Sequence, residues 1–227
     1  MKTIVFLCGA LAVAAPLAAQ TRTQPVLAAA AHASEPLVTV RAFFLAAEEQ
    51  FAAKTTFGAT FGKASQPLFG GGGQVVFRDG VYVDVSVSRF SKSGQRAFVF
   101  GGQSFGVGIP LTATLTPIEA SVGYRFRLRH YRNIIPFVAA GIGRYHYVET
   151  SSETPSGGST STDLDASHTG YLANAGVEFR FLKWVGASVD AQYTHVPGIF
   201  GTGGISQDAG ENDLGGYAAR VKVIVGR

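Results

Sequence analysis

Apolar and polar residues alternate one for one through segment after segment of this chain, and a period of two admits strands and little else. The pattern is clearest where Val185, Ala187, Val189, Ala191 and Tyr193 share one face against Gly186, Ser188, Asp190, Gln192 and Thr194 on the other. Val81, Val83, Val85 and Val87 likewise oppose Asp84, Ser86 and Ser88, and Tyr171, Ala173, Ala175, Val177, Phe179 and Phe181 oppose His168, Asn174, Glu178 and Arg180. A fourth segment sets Ile118, Ala120, Val122, Tyr124 and Phe126 against Glu119, Ser121 and Arg125, but its apolar phase reverses before Thr116-Pro117. Proline cannot donate to a ladder, so a bulge is expected there. Two further segments, around Gly70 to Gly73 and Gly141 to Gly143, hold too much glycine for their faces to be assigned.

Taken together, candidate strands run over Leu37 to Ala47, Leu68 to Phe77, Val81 to Phe90, Leu111 to Phe126, Pro136 to Val148, Ser167 to Phe181, Trp184 to Thr194 and Leu214 to Val225. The connections alternate in length. Long ones are separated by Arg78-Asp79-Gly80, by Arg127 to Ile135 and by Leu182-Lys183. Tight turns at one end and longer loops at the other are the pattern of an up-and-down barrel that crosses a membrane. Closure matters in that setting, because lipid cannot hydrogen-bond a free strand edge.

Composition agrees with a lipid-facing surface. Only 15% of the 227 residues are charged, glycine is abundant at 29, and the mean hydropathy is slightly positive. Beyond the N-terminus no stretch approaches the roughly 18 apolar residues of a spanning helix. The start of the chain has the form of a secretory signal: Lys2, then an apolar run from Ile4 to Ala15, then Pro16 and small residues ending near Ala19. The expected organisation is a signal peptide over 1–19, an Ala-rich linker over 20–36 and a barrel over 37–227. The lone cysteine, Cys8, lies inside the signal, so the mature chain holds no thiol, no disulfide and no cysteine-rich zinc site. The formal charge of +4, or +3 without Lys2, is too small to argue for a nucleic-acid partner.

A soluble secreted barrel binding a ligand inside would show the same alternation with the faces reversed. Aromatic placement favours the membrane version: Phe77, Phe126, Phe181 and Trp184 gather at the short-turn end, and Tyr145, Tyr147, Tyr171, Tyr193 and Tyr217 toward the other. Such belts sit at the two headgroup levels of a bilayer.

The stretch LTPIEASVGYRFRLRHYRNIIPFVAAGIGRYHY, from Leu115 to Tyr147, resembles the small outer-membrane β-barrel family that includes the OmpA, OmpX and OmpW types. The likeness lies in a strand ending in aromatic and Arg residues, a modest turn, and a returning strand that opens Pro136-Phe137-Val138-Ala139-Ala140-Gly141. It implies an all-β fold, an eight-stranded antiparallel transmembrane barrel behind a signal peptide, located in the bacterial outer membrane. Its partners would be outer-membrane lipid and the barrel-assembly machinery, with the protein a monomer. Members of this family usually finish on an aromatic residue, whereas this chain finishes Val223-Ile224-Val225-Gly226-Arg227.

The polar faces carry both signs, Arg41, Arg125, Arg180, Arg220 and Lys222 against Asp84, Glu119, Glu178 and Asp190. Side chains can fill an eight-stranded interior, so these charges are expected to pair in the lumen and close it. A proton path or narrow conduit is the other use such a row could serve. His146, His168 and His195 fall near the long-loop end of three successive strands and are a possible rim cluster, with Ser167, Thr169, Asp163 and Asp165 in range. If the loop between their strands is symmetric about Gly157, residues 146 and 168 lie opposite each other. No recognisable catalytic spacing accompanies them, and neither a metal nor another cofactor is expected. Between Glu48 and Gly62, the spacing of Phe57 and Phe61 suits a short helix that covers the barrel mouth or touches lipid.

The expected function is therefore a non-enzymatic outer-membrane barrel with an envelope-structural, surface-interaction or small-solute role. An outer-leaflet lipid-modifying enzyme built on the rim histidines is the alternative within the membrane reading.

Overall fold

The computed structural model describes residues 36–100, 103–152, 160–199, 206–207 and 209–226. The expected signal peptide and all of the linker but Pro36 lie outside the described residues. Eight strands follow one another as β1 (Val38–Phe51), β2 (Ser65–Phe77), β3 (Val81–Phe100), β4 (Gln103–Arg125), β5 (Ile134–Ser152), β6 (Thr160–Arg180), β7 (Val185–His195) and β8 (Gly216–Gly226), with one helix, α1 (Lys54–Phe61), after β1. Each strand pairs antiparallel with its neighbour in sequence, and β1 closes on β8, with Phe44 opposite Val223. No strand edge is left over, which is the condition for life in hydrocarbon.

The strands match the expected segments closely at the short-turn end, and all but β8 outrun them at the other. The connection expected to be long between Phe90 and Leu111 is mostly ladder: β3 and β4 continue pairing as far as Phe100 opposite Gln103, with a register shift between Gln95 and Ala97. Hydroxyl groups join the extension across its outer face, Ser91 to Thr114 at 3.1 Å and Ser93 to Thr112 at 3.0 Å. Ser91 and Ser93, in a stretch that reads as loop, here lie on the outward face of a strand pair.

The faces are sorted by height. Near the short turns the outward side is apolar, as at Val85, Ile118, Val122, Val138, Ile142, Val189, Val221 and Val223, while Arg41, Asp84, Glu119 and Glu178 point inward and are buried. Above that band the assignment inverts: Leu111, Ala113 and Leu115 point inward and are buried, and Thr112, Thr114 and Thr116 point outward. The apparent phase reversal before Thr116-Pro117 is therefore not the bulge expected from sequence. The pairing with β3 skips Thr116 and Pro117 but keeps one register on both sides, Val87 opposite Ile118 and Phe90 opposite Leu115, and the pairing with β5 is continuous from Leu111 to Arg125. The backbone keeps its phase; the chemistry on either side of the wall changes. From Ile118 to Phe126 the apolar outward run has the length, roughly 9–11 residues, that a tilted strand needs to cross hydrocarbon.

Above the band the interior is a second, apolar core of Phe51, Phe57, Leu68, Phe90, Leu115, Tyr145, Tyr147, Val196, Ile199 and Leu214. Here α1 enters the barrel mouth: Phe57 is 1% exposed and stacks on Phe51 with ring centroids 4.1 Å apart, and Phe61 packs edge-on to Phe90. Of the two uses the sequence left open for this helix, it covers the mouth. Gly94 on β3 is what lets it approach, since a Cβ there would collide with the Thr60 carbonyl and the Phe61 ring. The Tyr145 and Tyr147 rings, expected in the upper aromatic belt, belong to this core at 2% and 3% exposure. Tyr171, Tyr193 and Tyr217 do face outward, and so do Phe77, Phe126, Phe181 and Trp184 at the opposite end.

Candidate functional site

All the lumen charges expected from strand parity point into the barrel, where they form a stack of interlocking pairs. Lowest is Glu178 on β6. Its carboxylate accepts from the Arg41 guanidinium at 2.9 and 3.1 Å, from Arg125, and from Arg180 at 3.2 Å. Glu178, Arg41 and Arg125 are almost wholly buried, whereas the Arg180 side chain is 41% exposed at the lower opening. One level up, Lys222 donates to Asp84 at 3.1 Å and lies 4.4 Å from the centre of the Phe43 ring. Beside it Arg220 donates to Asp190 at 2.6 Å and to the Gln192 amide oxygen. The top level is Glu119, which accepts from Tyr145 at 2.7 Å and Gln192 at 3.0 Å and lies 3.6 Å from Arg220.

Charges buried this deeply persist only when paired, and each charge in these levels has an opposite partner, drawn from β1, β3, β4, β6, β7 and β8, although Nη2 of Arg41, Nη2 of Arg220 and Oδ2 of Asp190 make no hydrogen bond of their own. The stack is thus a cross-brace between strands distant in sequence, Arg41 to Glu178 among them. A cavity of about 10 Å3 lies among Gln74, Tyr82, Arg125, Glu178, Ser188 and Lys222, the room that one water occupies. Gly123 belongs to the same economy, because a Cβ on it would meet the Tyr82 ring.

Some contributors were not singled out from the sequence. Glu49 is inward and buried, and Gln192 and Tyr145 supply neutral hydrogen bonds to the brace. The signal for Glu49 is parity alone: it continues the inward row Arg41, Phe43, Leu45.

The rim histidines are not brought together. Tyr145 stands opposite His168, and His146 opposite Ser167, one residue away from the pairing that symmetry about Gly157 would give. One residue reverses a side chain's face, so His168 takes the inward parity of Tyr145 while His146 faces out. His195 also has outward parity and instead meets Asp213 at 2.6 Å. Among the described residues no group of His, Cys, Asp and Glu is arranged to hold a metal. His146 has Ser167 at 3.0 Å and Asp165 at 3.6 Å, but both approach Nδ1. A relay needs its hydroxyl and carboxylate on opposite ring nitrogens, and this arrangement lacks that.

Above the brace, the β7–β8 connection fastens α1. The Glu211 carboxylate accepts from the Thr55 and Thr56 backbone N–H groups at 2.8 and 2.9 Å and from the Thr56 hydroxyl at 2.8 Å, at the end of the helix where N–H groups lack partners. Partial burial works to raise the Glu211 pKa, and these hydrogen bonds outweigh it and hold the group below its ordinary value. Asp213 secures the same connection by accepting from the Val196 and Gly215 N–H groups at 2.7 and 2.8 Å.

Comparison with known proteins gives a consistent picture. The chain matches the model of the outer membrane protein beta-barrel domain over residues 4–223. Among solved structures it is similar to the outer membrane protein OprG of Pseudomonas aeruginosa, at 11% identity and a TM-score of 0.50 over 84% of this chain and 95% of that one. It is also similar to neisserial surface protein A, at 14% identity and a TM-score of 0.48 over 84% and 97% of the two chains. The N-terminal barrel of Pseudomonas aeruginosa OprF matches at 14% identity and a TM-score of 0.43 over 82% and 97%. No curated protein matches significantly. With the apolar face outward and the charged face inside, the soluble ligand-binding barrel is set aside. The chain belongs to the outer membrane protein β-barrel family, and its place is the bacterial outer membrane.

Proposed function

We propose that this protein is a closed, non-enzymatic barrel that anchors a rigid strand extension at the cell surface, where that extension meets external partners. The observation that carries the proposal is the filled interior. The charge brace occupies the membrane-spanning part of the lumen, and the apolar core with α1 occupies the part above it. A diffusing solute would have to break buried ion pairs and then displace a packed aromatic cluster. The surface role is supported by the length of β3 and β4 beyond the apolar band and by their hydroxyl-rich outer face. The non-enzymatic reading is supported by the separation of the three rim histidines. We further propose that the barrel works as a monomer in outer-membrane lipid, inserted there by the barrel-assembly machinery.

Planar-bilayer recording tests the reading. The purified barrel is expected to give no sustained open conductance, whereas stable porin-like steps from folded protein would overturn it. Turnover of lipopolysaccharide or phospholipid that is lost in His146→Ala would instead favour the enzyme.

A further inference from the structure

The short turns carry an unused feature. Arg78, Arg127, Arg129, Arg132 and Lys183 are all exposed there, with Asp79 the one acid in the three turns. Asp79 is engaged locally, accepting from the Val81 N–H at 3.1 Å. At the opposite end basic residues are interspersed with Glu48, Glu149, Asp165, Glu211 and Asp213. Short turns face the periplasm in barrels of this kind, so the cationic end lies at the inner leaflet.

The cations do not form a separate patch. Arg78 follows Phe77, Arg127 sits between Phe126 and Leu128, and Lys183 sits between Leu182 and Trp184, and every one of these apolar neighbours is exposed. Tyr131, 64% exposed, lies between His130 and Arg132. A soluble acidic polymer gains little from the interleaved apolar groups. A lipid interface uses both, with aromatic and aliphatic side chains at the acyl boundary and Lys or Arg at the phosphates. We propose that the three turns form a collar that selects anionic phospholipid headgroups of the inner leaflet.

Trp184 is the chain's single tryptophan and lies in the collar beside Lys183, so it reports on the lipids next to it. The full barrel is folded into phosphatidylethanolamine vesicles containing brominated phosphatidylglycerol or brominated phosphatidylcholine at the same mole fraction, and quenching is compared. The collar predicts an association constant about fivefold higher for phosphatidylglycerol, the effect of roughly one fully engaged basic side chain. That preference falls to about one in the variant Arg78→Gln/Arg127→Gln/Arg129→Gln/Arg132→Gln/Lys183→Gln, with folding checked by heat-modifiable mobility. Should the variant not fold, high salt on the unaltered protein must remove the preference in the same way. Equal quenching by the two lipids, or a preference indifferent to both the substitutions and salt, overturns the proposal. Absent lipid preference together with arginine-dependent co-sedimentation with cell-wall sacculi overturns it in favour of a polymer partner.

Discussion

Glu178 accepts from three guanidinium groups, two of them on buried side chains contributed by β1 and β4. Removing its carboxylate strands those charges in a space that cannot solvate them. Glu178→Ala is therefore expected to lower the unfolding free energy by ~3–5 kcal/mol, read by urea titration of the barrel folded in vesicles. Arg180→Gln removes a partner that is 41% exposed and is expected to cost no more than about 1 kcal/mol. Equal losses would mean that the lower opening is as dry as the centre. The brace was legible because charge sat on the polar parity of otherwise apolar alternations. Its vertical order was not, since which of several inward charges meet depends on the stagger between strands. Glu49 escaped notice for a related reason: beside Glu48, at what reads as a strand end, it resembles the start of a solvated loop.

Among the elements, β4 teaches most. Its sequence inverts phase at Thr116-Pro117 while its register does not, because apolar residues follow lipid below that point and the aromatic core above it. Pattern reading assumes one apolar side per strand; here the apolar side changes with the medium. The glycine-rich segments resist assignment because inward positions in them are shaped by aromatic rings, Gly72 by Phe43 and Gly143 by Tyr145, as Gly123 on β4 is by Tyr82. Gly123→Ala is expected to destabilise the barrel by ~1–3 kcal/mol through overpacking, read by the same titration. The helix α1 yields a pH prediction through Glu211. Its folded-state pKa lies below the ordinary value, so its contribution is whole above the unfolded carboxyl value of about 4.3. That contribution is lost as pH falls through the lower folded value. Hydrogen exchange at the Thr55 and Thr56 amides should therefore accelerate, beyond the intrinsic pH dependence, only on the acid side of that range. Glu211→Gln should show the faster exchange already at neutral pH.

For the whole molecule, eight strands and their order were readable from alternation and from the rhythm of short and long connections. The extent of the strands beyond the membrane was not, since Ser, Thr and Gly serve equally in loops and on water-facing strand surfaces. The same ambiguity hides the register that sets His146 opposite Ser167 rather than His168. What unites the structure is that the lipid boundary is written into the barrel as an exchange of inner and outer chemistry. Cysteine scanning along the outward face of β4 tests this most directly, with Thr114→Cys, Ile118→Cys and Val122→Cys in barrels assembled in the outer membrane and exposed to a membrane-impermeant maleimide. In the bare chain Ile118 and Val122 are 55% and 57% exposed, more than Thr114, so only lipid can protect them. The account predicts rapid labelling at residue 114 and little at 118 and 122. Labelling at 122 as fast as at 114 would contradict it.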